Sequence, residues 1–182
     1  MSNSVLRGRI IFIALVLMFA LPAILAKTIL INDWYQSGVT NRGVLVEPTV
    51  SYQSLGVNNP YQGEQWQLAY MIPEKCDDFC QQQIYLLGQS HLALGKYQQR
   101  VSPVLIVSKG KLSPVEQAQT FDTILVEDEF APVLSEFEFV IVDPLGQLVM
   151  RYPKVESQDQ LVSQSKDVLA DLRKLLKLSR VG

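Results

Sequence analysis

Both cysteines of the chain and its only histidine lie within Met71–Leu94, MIPEKCDDFCQQQIYLLGQSHLAL. Upstream, Trp66-Gln67-Leu68-Ala69-Tyr70 alternates apolar and polar and is bounded by Gly63, which predicts a short strand. Downstream, Ile84, Leu87, His91 and Leu94 recur at helical spacing, so a helix is expected from about Phe79. The cysteines therefore sit where a strand turns into a helix. Asp78 followed by Gln81 is a capping-box pattern that places the Asp78 carboxylate to accept the amide of Cys80 or Gln81.

That placement fixes what the sulfurs can do. Inside one regular helix their Cβ atoms would stand roughly 5–6 Å apart, whereas a disulfide needs about 3.5–4.5 Å. With Asp78 as the cap, Cys76 falls on a turn outside the helix and Cys80 in its first turn. The two sulfurs can then close on each other or converge on one metal ion. Helix-terminal amides and the helix dipole favour a thiolate on Cys80, and Asp77 and Asp78 oppose it.

The chain opens on an unbroken apolar run, Ile10 to Ala26, at the short edge of what crosses a ~30 Å hydrocarbon core. Arg7 and Arg9 precede it with no acidic residue, so the positive-inside rule puts residues 1–9 in the cytoplasm and the remainder outside. A cleaved signal peptide is the alternative. Ile24, at the position that prefers a small residue for a cut after Ala26, speaks for an uncleaved anchor. The exported remainder carries 18 acidic residues against 14 basic ones once Arg7 and Arg9 are set aside from the 16, a net charge of −4. No basic stripe with interleaved aromatics appears, which argues against a nucleic-acid partner.

In an exported domain, two cysteines read first as a disulfide. A loop this tight contributes only about 2 kcal/mol by the chain-entropy estimate. A domain of this length does not need such a staple, which favours a reactive pair. A closed zinc site wants four ligands, and only two thiols and one imidazole exist. No phosphate-cradling glycine loop is present, and no Ser/His/Asp set assembles around His91, which shares the apolar helix face. The acidic run Glu127-Asp128-Glu129 reads as solvated surface.

Along the chain, 27–60 reads as a juxtamembrane linker leading into an amino-terminal hairpin, with Trp34 and Tyr35 suited to headgroup level. Residues 61–182 form the main domain. Pro103–Val107 suits a strand buried on both faces. Lys109-Gly110-Lys111 is a turn, Ser113 and Pro114 open a short helix, and Phe121–Val126 is a weaker strand. Phe137–Val142 and Gln147–Tyr152 flank Asp143-Pro144-Leu145-Gly146 as a hairpin, in which Glu136 and Glu138 alternate with Phe137 and Phe139 as one wet face. A last helix runs from about Asp159 to Lys177 with Leu161, Val168, Leu169, Leu172, Leu175 and Leu176 on its apolar face.

Strand, two-cysteine turn, helix, strand, short helix, hairpin, helix is the thioredoxin-like order. It gives an α/β fold with a central sheet, helices on both faces and cysteines at a strand's carboxyl end. The run Trp66–Tyr70, Cys76-x-x-x-Cys80 and Val140-Ile141-Val142-Asp143-Pro144-Leu145-Gly146 resembles the Sco/SenC branch of membrane-anchored thioredoxin-like proteins. With Gly38–Gly43, Leu92–Lys96 and the ending Leu175–Gly182, the chain is similar to small single-pass proteins of bacterial cytochrome c oxidase biogenesis clusters. The resemblance implies inner-membrane anchoring with a periplasmic domain, and partners among oxidase subunits or assembly factors. It also implies either thiol redox chemistry or copper delivery.

Two departures from that family stand out. Its copper histidine would fall near Ser135, in Leu134-Ser135-Glu136, and there is none. His91 lies eleven residues beyond Cys80, a rise of about 16 Å on one helix, too far to share a metal and better read as a buried structural histidine. Thioredoxins also place a cis-proline before a strand opposite the cysteines, and Pro132 is the nearest candidate. Three readings follow. Cys76 and Cys80 are a catalytic dithiol, with Cys76 attacking and Cys80 resolving, that reduces a client's copper-site cysteines. Alternatively the same two thiolates carry Cu(I), with Met71 the nearest thioether for a third ligand. The third reading is a non-catalytic partner-binding module whose disulfide locks the turn.

Overall fold

The computed structural model describes residues 3–31, 40–109, 120–127, 130 and 132–180. The short helix expected at Ser113–Ala118, Gly110 and Lys111, the Trp34–Tyr35 pair, and Asp128 and Glu129 lie outside these residues. The chain divides into two compact units, Met1–Thr40 and Asn41–Gly182.

The first unit is a helix, α1 (Asn3–Ile31). Its Val5–Ile29 stretch contains an 18-residue window of mean hydropathy 2.6 and is long and apolar enough to cross a membrane. It outruns the expected Ile10–Ala26 at both ends, taking in Arg7, Arg9 and Lys27.

The second unit is a six-stranded mixed sheet. In chain order its elements are β1 (Val44–Ser51), β2 (Trp66–Met71), α2 (Asp78–Ala93), β3 (Val101–Ser108), β4 (Asp122–Val126), β5 (Phe139–Val142), β6 (Gln147–Tyr152) and α3 (Gln158–Leu178). The strand order is β1-β6-β5-β2-β3-β4. β2 and β3 run parallel from Trp66↔Val101 to Met71↔Ile106, joined by α2 as the crossover. β5 runs antiparallel to β2, with Tyr70 opposite Phe139. That register brings the loop before β5 to the same end of the sheet as the turn after β2.

β1 does not form a hairpin with a neighbour in sequence. It pairs antiparallel with β6, through Val44↔Arg151 and Ser51↔Gln147. The reason is a latch on α3: the buried Asp171 carboxylate accepts the amides of Arg42 (2.8 Å) and Gly43 (2.9 Å) and the Tyr152 hydroxyl (2.9 Å). Gly43 has no room for a side chain, since a Cβ there would stand 2.6 Å from Met150 Cγ and 2.7 Å from the Tyr152 ring.

The core has one layer on each side of the sheet. On one face Trp66, Leu68 and Tyr70 of β2 pack with Cys80, Ile84 and Leu87 of α2 and Val168, Leu172 and Leu176 of α3. On the other, Ala69, Met71, Val104 and Ile106 pack with Tyr52, Phe130 and Leu134. Among the described residues both long helices of this unit thus share one face, and loop segments cover the other. The alternation of β2 predicted one wet side, yet all six residues are buried. Gln67 tolerates this because its amide is satisfied, by the Tyr52 hydroxyl (3.1 Å) and by Asn59 Oδ1 (2.7 Å).

The β5–β6 turn closes on Asp143, whose Oδ1 accepts from Leu145 N (2.9 Å) and Gln147 N (2.8 Å), with Gly146 at φ +81°. The Glu136–Phe139 alternation is not strand with a wet face. β5 begins only at Phe139, and Glu138 is buried, accepting the Ser135 amide (3.1 Å) and facing Arg151 at 3.6 Å.

Candidate redox site

Cys76 sits on the turn that leaves β2, half-buried, and Cys80 lies fully buried in the first turn of α2. The two form a disulfide with Cα atoms 5.1 Å apart. Because only Cys80 is helical, the pair escapes the geometry that a continuous helix would impose.

The cap is Asp77 and not Asp78. Asp77 has extended backbone (φ −82°, ψ −175°), and its Oδ1 accepts the Cys80 amide at 3.0 Å. Asp78 is the first helical residue, so no capping box forms with Gln81, whose amide bonds the Asp77 carbonyl at 3.0 Å. This bears on the competition between dipole and carboxylates. The amide that would stabilise a Cys80 thiolate is already bonded to Asp77, and two carboxylates stand at the positive end of the helix. The carboxylates therefore oppose thiolate formation at this site.

Behind the disulfide lies a polar relay that sequence reasoning missed. Tyr70 and Gln83 are both fully buried, and the Tyr70 hydroxyl donates to Gln83 Oε1 at 2.7 Å. Gln83 Nε2 donates to the Phe137 carbonyl at 3.2 Å. Burial pushes the Tyr70 phenol up, and the Asp77 and Glu136 carboxylates push it further. Phe137 itself has φ +69° and is the only non-glycine residue with positive φ among the described residues. A left-handed backbone costs an L residue roughly 1–2 kcal/mol. The Phe137 amide donates to Met71 O (2.9 Å), its ring meets the Phe79 ring (centroids 6.4 Å apart), and Lys154 Nζ lies 4.1 Å from its ring centre. A polar residue on the core-facing stripe of α2, three positions after a cysteine, was the signal that could have found Gln83. Nothing in the sequence marks Phe137.

The remaining candidates are not brought together. His91 is half-buried rather than buried, with Nε2 3.1 Å from the Gln98 carbonyl near the far end of α2. Met71 belongs to the opposite face of the sheet from Cys80, so it cannot complete a copper site with the two sulfurs. Leu134-Ser135-Glu136, near which the Sco resemblance leads one to expect a histidine, has none. Among the described residues no group of three His, Cys, Asp or Glu is placed to hold a metal, and in the disulfide neither sulfur is a thiolate donor. The Ala131–Pro132 bond involves a residue outside those described, and the one cis peptide among the described residues is Glu47–Pro48 on β1.

Residues 66–179 match the family described as transmembrane-like, thioredoxin-like, C-terminal domain. Sequence comparison with curated proteins gives no match. Among solved structures, the chain is similar to copper-bound yeast Sco1 at 19% identity and TM-score 0.46, over 65% of this chain and 82% of that one. It is similar to copper-bound ScoI of Arabidopsis thaliana at 17% identity and TM-score 0.43, over 63% and 87%. It is also similar to the thioredoxin domain of a thiol-disulfide oxidoreductase from Bacteroides vulgatus at 12% identity and TM-score 0.43, over 74% and 96%.

Proposed function

The chain belongs to the family of transmembrane-like, thioredoxin-like C-terminal domains, and from that premise we propose that it is a membrane-anchored thiol–disulfide exchange protein. Its client in this reading is a protein of cytochrome c oxidase assembly whose copper-site cysteines must be kept reduced. That class follows the sequence resemblance set out above. The membrane is the bacterial inner membrane, with Arg7 and Arg9 in the cytoplasm and the Asn41–Gly182 unit in the periplasm.

The observation that carries the reading is the asymmetry of the pair. Cys76 is reachable from solvent and Cys80 is sealed beneath it. In the reduced protein the Cys76 thiolate attacks one sulfur of a client disulfide, and the client's other cysteine leaves as a thiolate. Cys80 then attacks Cys76, the mixed disulfide breaks, and the second client sulfur leaves. The sum is a client disulfide converted to a dithiol while Cys76–Cys80 becomes a disulfide, a transfer of two electrons and two protons. An exported dithiol donor must reduce the pair again for a second turn.

Trapping tests this. Full-length Cys80→Ser, expressed in membranes, should accumulate a mixed disulfide with a client that dithiothreitol releases, and Cys76→Ser should not. The reduction potential of the wild-type pair should lie above about −300 mV, since structural disulfides lie below it. A lower potential with no trapped adduct would leave the disulfide as a lock on the turn of a binding module.

A further inference from the structure

We infer that Gln83 is a positioning residue for exchange at Cys76–Cys80: its amide holds Phe137 in a left-handed conformation beside the cysteine-bearing turn, and Phe137 so held determines how a client segment meets Cys76. This rests on the exchange reading above.

A fully buried glutamine is an expensive choice on the face of α2 that also carries Cys80, Ile84 and Leu87. Leucine would pack there without a polar group to satisfy. Both ends of the Gln83 amide are committed. Oε1 takes the Tyr70 hydroxyl, which leaves Nε2 to face the Phe137 carbonyl. The side chain thus ties together β2, α2 and the loop before β5, one helical turn beyond Cys80.

Phe137 is the residue those ties restrain. An aromatic side chain at φ +69° persists only where its surroundings over-determine it, and strain of this kind gathers at functional sites. Its amide is held by Met71 O and its carbonyl by Gln83. Its ring reaches Phe79, which lies between the two cysteines in sequence, so the loop and the redox turn touch through this pair of rings. Glycine or asparagine would adopt the same backbone at lower cost, and neither would supply that ring. The β2–β5 register puts this contact at the end of the sheet where the half-buried Cys76 lies.

The test uses the reduced full-length chain in detergent micelles with two oxidants, a small aliphatic disulfide and a peptide closed by a disulfide between two cysteines. For Gln83→Met, the ratio of the peptide rate to the small-disulfide rate should fall about tenfold, carried by a higher KM for the peptide and not by kcat, the size of one lost hydrogen-bonded contact. In a Phe137→Gly background the same Gln83→Met change should add nothing, because glycine needs no clamp and the ring is already gone. Tyr70→Phe, which removes only the hydroxyl that orients Gln83, should lower the ratio about threefold and serves if Gln83→Met does not fold. An unchanged ratio in both variants, or additive losses in the double variant, would overturn the assignment while leaving exchange intact. A wild type that reacts with neither oxidant would overturn the exchange reading itself, and the Gln83 assignment with it.

Discussion

Replacing Asp77 by asparagine or by alanine separates its two roles. As the N-cap it accepts the Cys80 amide at 3.0 Å, and as a carboxylate it places a negative charge in the turn between Cys76 and Cys80. Asparagine keeps the cap and removes the charge, and alanine removes both. Loss of the cap costs about 1 kcal/mol, which lowers Tm by about 3–5 °C for a unit of this size. Asp77→Asn should stay within about 1 °C of wild type, because asparagine caps as well as aspartate. The charge effect is read on the thiols. An exposed carboxylate a few ångströms from a sulfur is worth about 1 kcal/mol after solvent screening, so removing it raises the thiolate fraction about fivefold. Nucleophilicity per thiolate falls as thiolates become easier to form, by about twofold here, leaving a net gain of two- to threefold. Iodoacetamide alkylation of Cys76 in the reduced protein at neutral pH should therefore be about two- to threefold faster in both variants. In strong alkali, where wild type is fully ionised too, the order should reverse. Equal neutral rates in all three proteins, or a faster Asp77→Ala beside an unchanged Asp77→Asn, would refute the charge argument.

Three further outcomes are expected. Gly43→Ala forces a methyl into the Met150 and Tyr152 side chains and should cost about 1–3 kcal/mol, visible as a lower urea midpoint at unchanged slope. Asp171→Ala strands the Arg42 and Gly43 amides, leaves the Tyr152 hydroxyl only Met150 Sδ at 3.2 Å and should cost about 3 kcal/mol or more, while Tyr152→Phe, which removes one donor and keeps the ring, should cost about 1 kcal/mol. Burial raises the phenols of Tyr52, Tyr70 and Tyr152, and burial with the neighbouring Asp122 carboxylate pushes Tyr61 up to about 12. The folded state therefore prefers neutral tyrosines, so this stability is fully present below the unfolded value of 10 and is lost as pH rises through 12 and beyond. Circular dichroism followed with tyrosinate absorbance should show unfolding and ionisation together above pH 10, and ionisation of these tyrosines without loss of structure would contradict it.

Local patterns carried most of the architecture. The apolar run, the strand–turn–helix around the cysteines, the Asp143–Gly146 turn and the α3 stripe each announce themselves within a few residues, because turn chemistry and periodicity are local. The pairing of β1 was not legible in that way. Its cause is Asp171, a carboxylate more than a hundred residues away, and no local pattern links it to Gly43. Shared-face information was lost for the same reason: Met71 is the thioether nearest to Cys76 in sequence, yet strand alternation turns it to the opposite layer. The cap moved by one residue because Asp77 and Asp78 are chemically alike, and only the extended backbone at Asp77 tells them apart. Phenylalanine favours strands, so the sequence around Phe137 predicts one, and its left-handed backbone is accompanied by hydrogen bonds to Met71 and Gln83 that no local pattern announces.

The strand that receives the chain from its amino-terminal segment is the hem of the sheet, and the cysteine turn hangs from a strand three places inward. At about 4.8 Å per strand, some 14 Å of hydrogen-bonded fabric separates the chain's point of entry from the disulfide turn. A load entering at Asn41 meets the β1–β6 seam and the Asp171 clasp before it meets the strand that carries the cysteines.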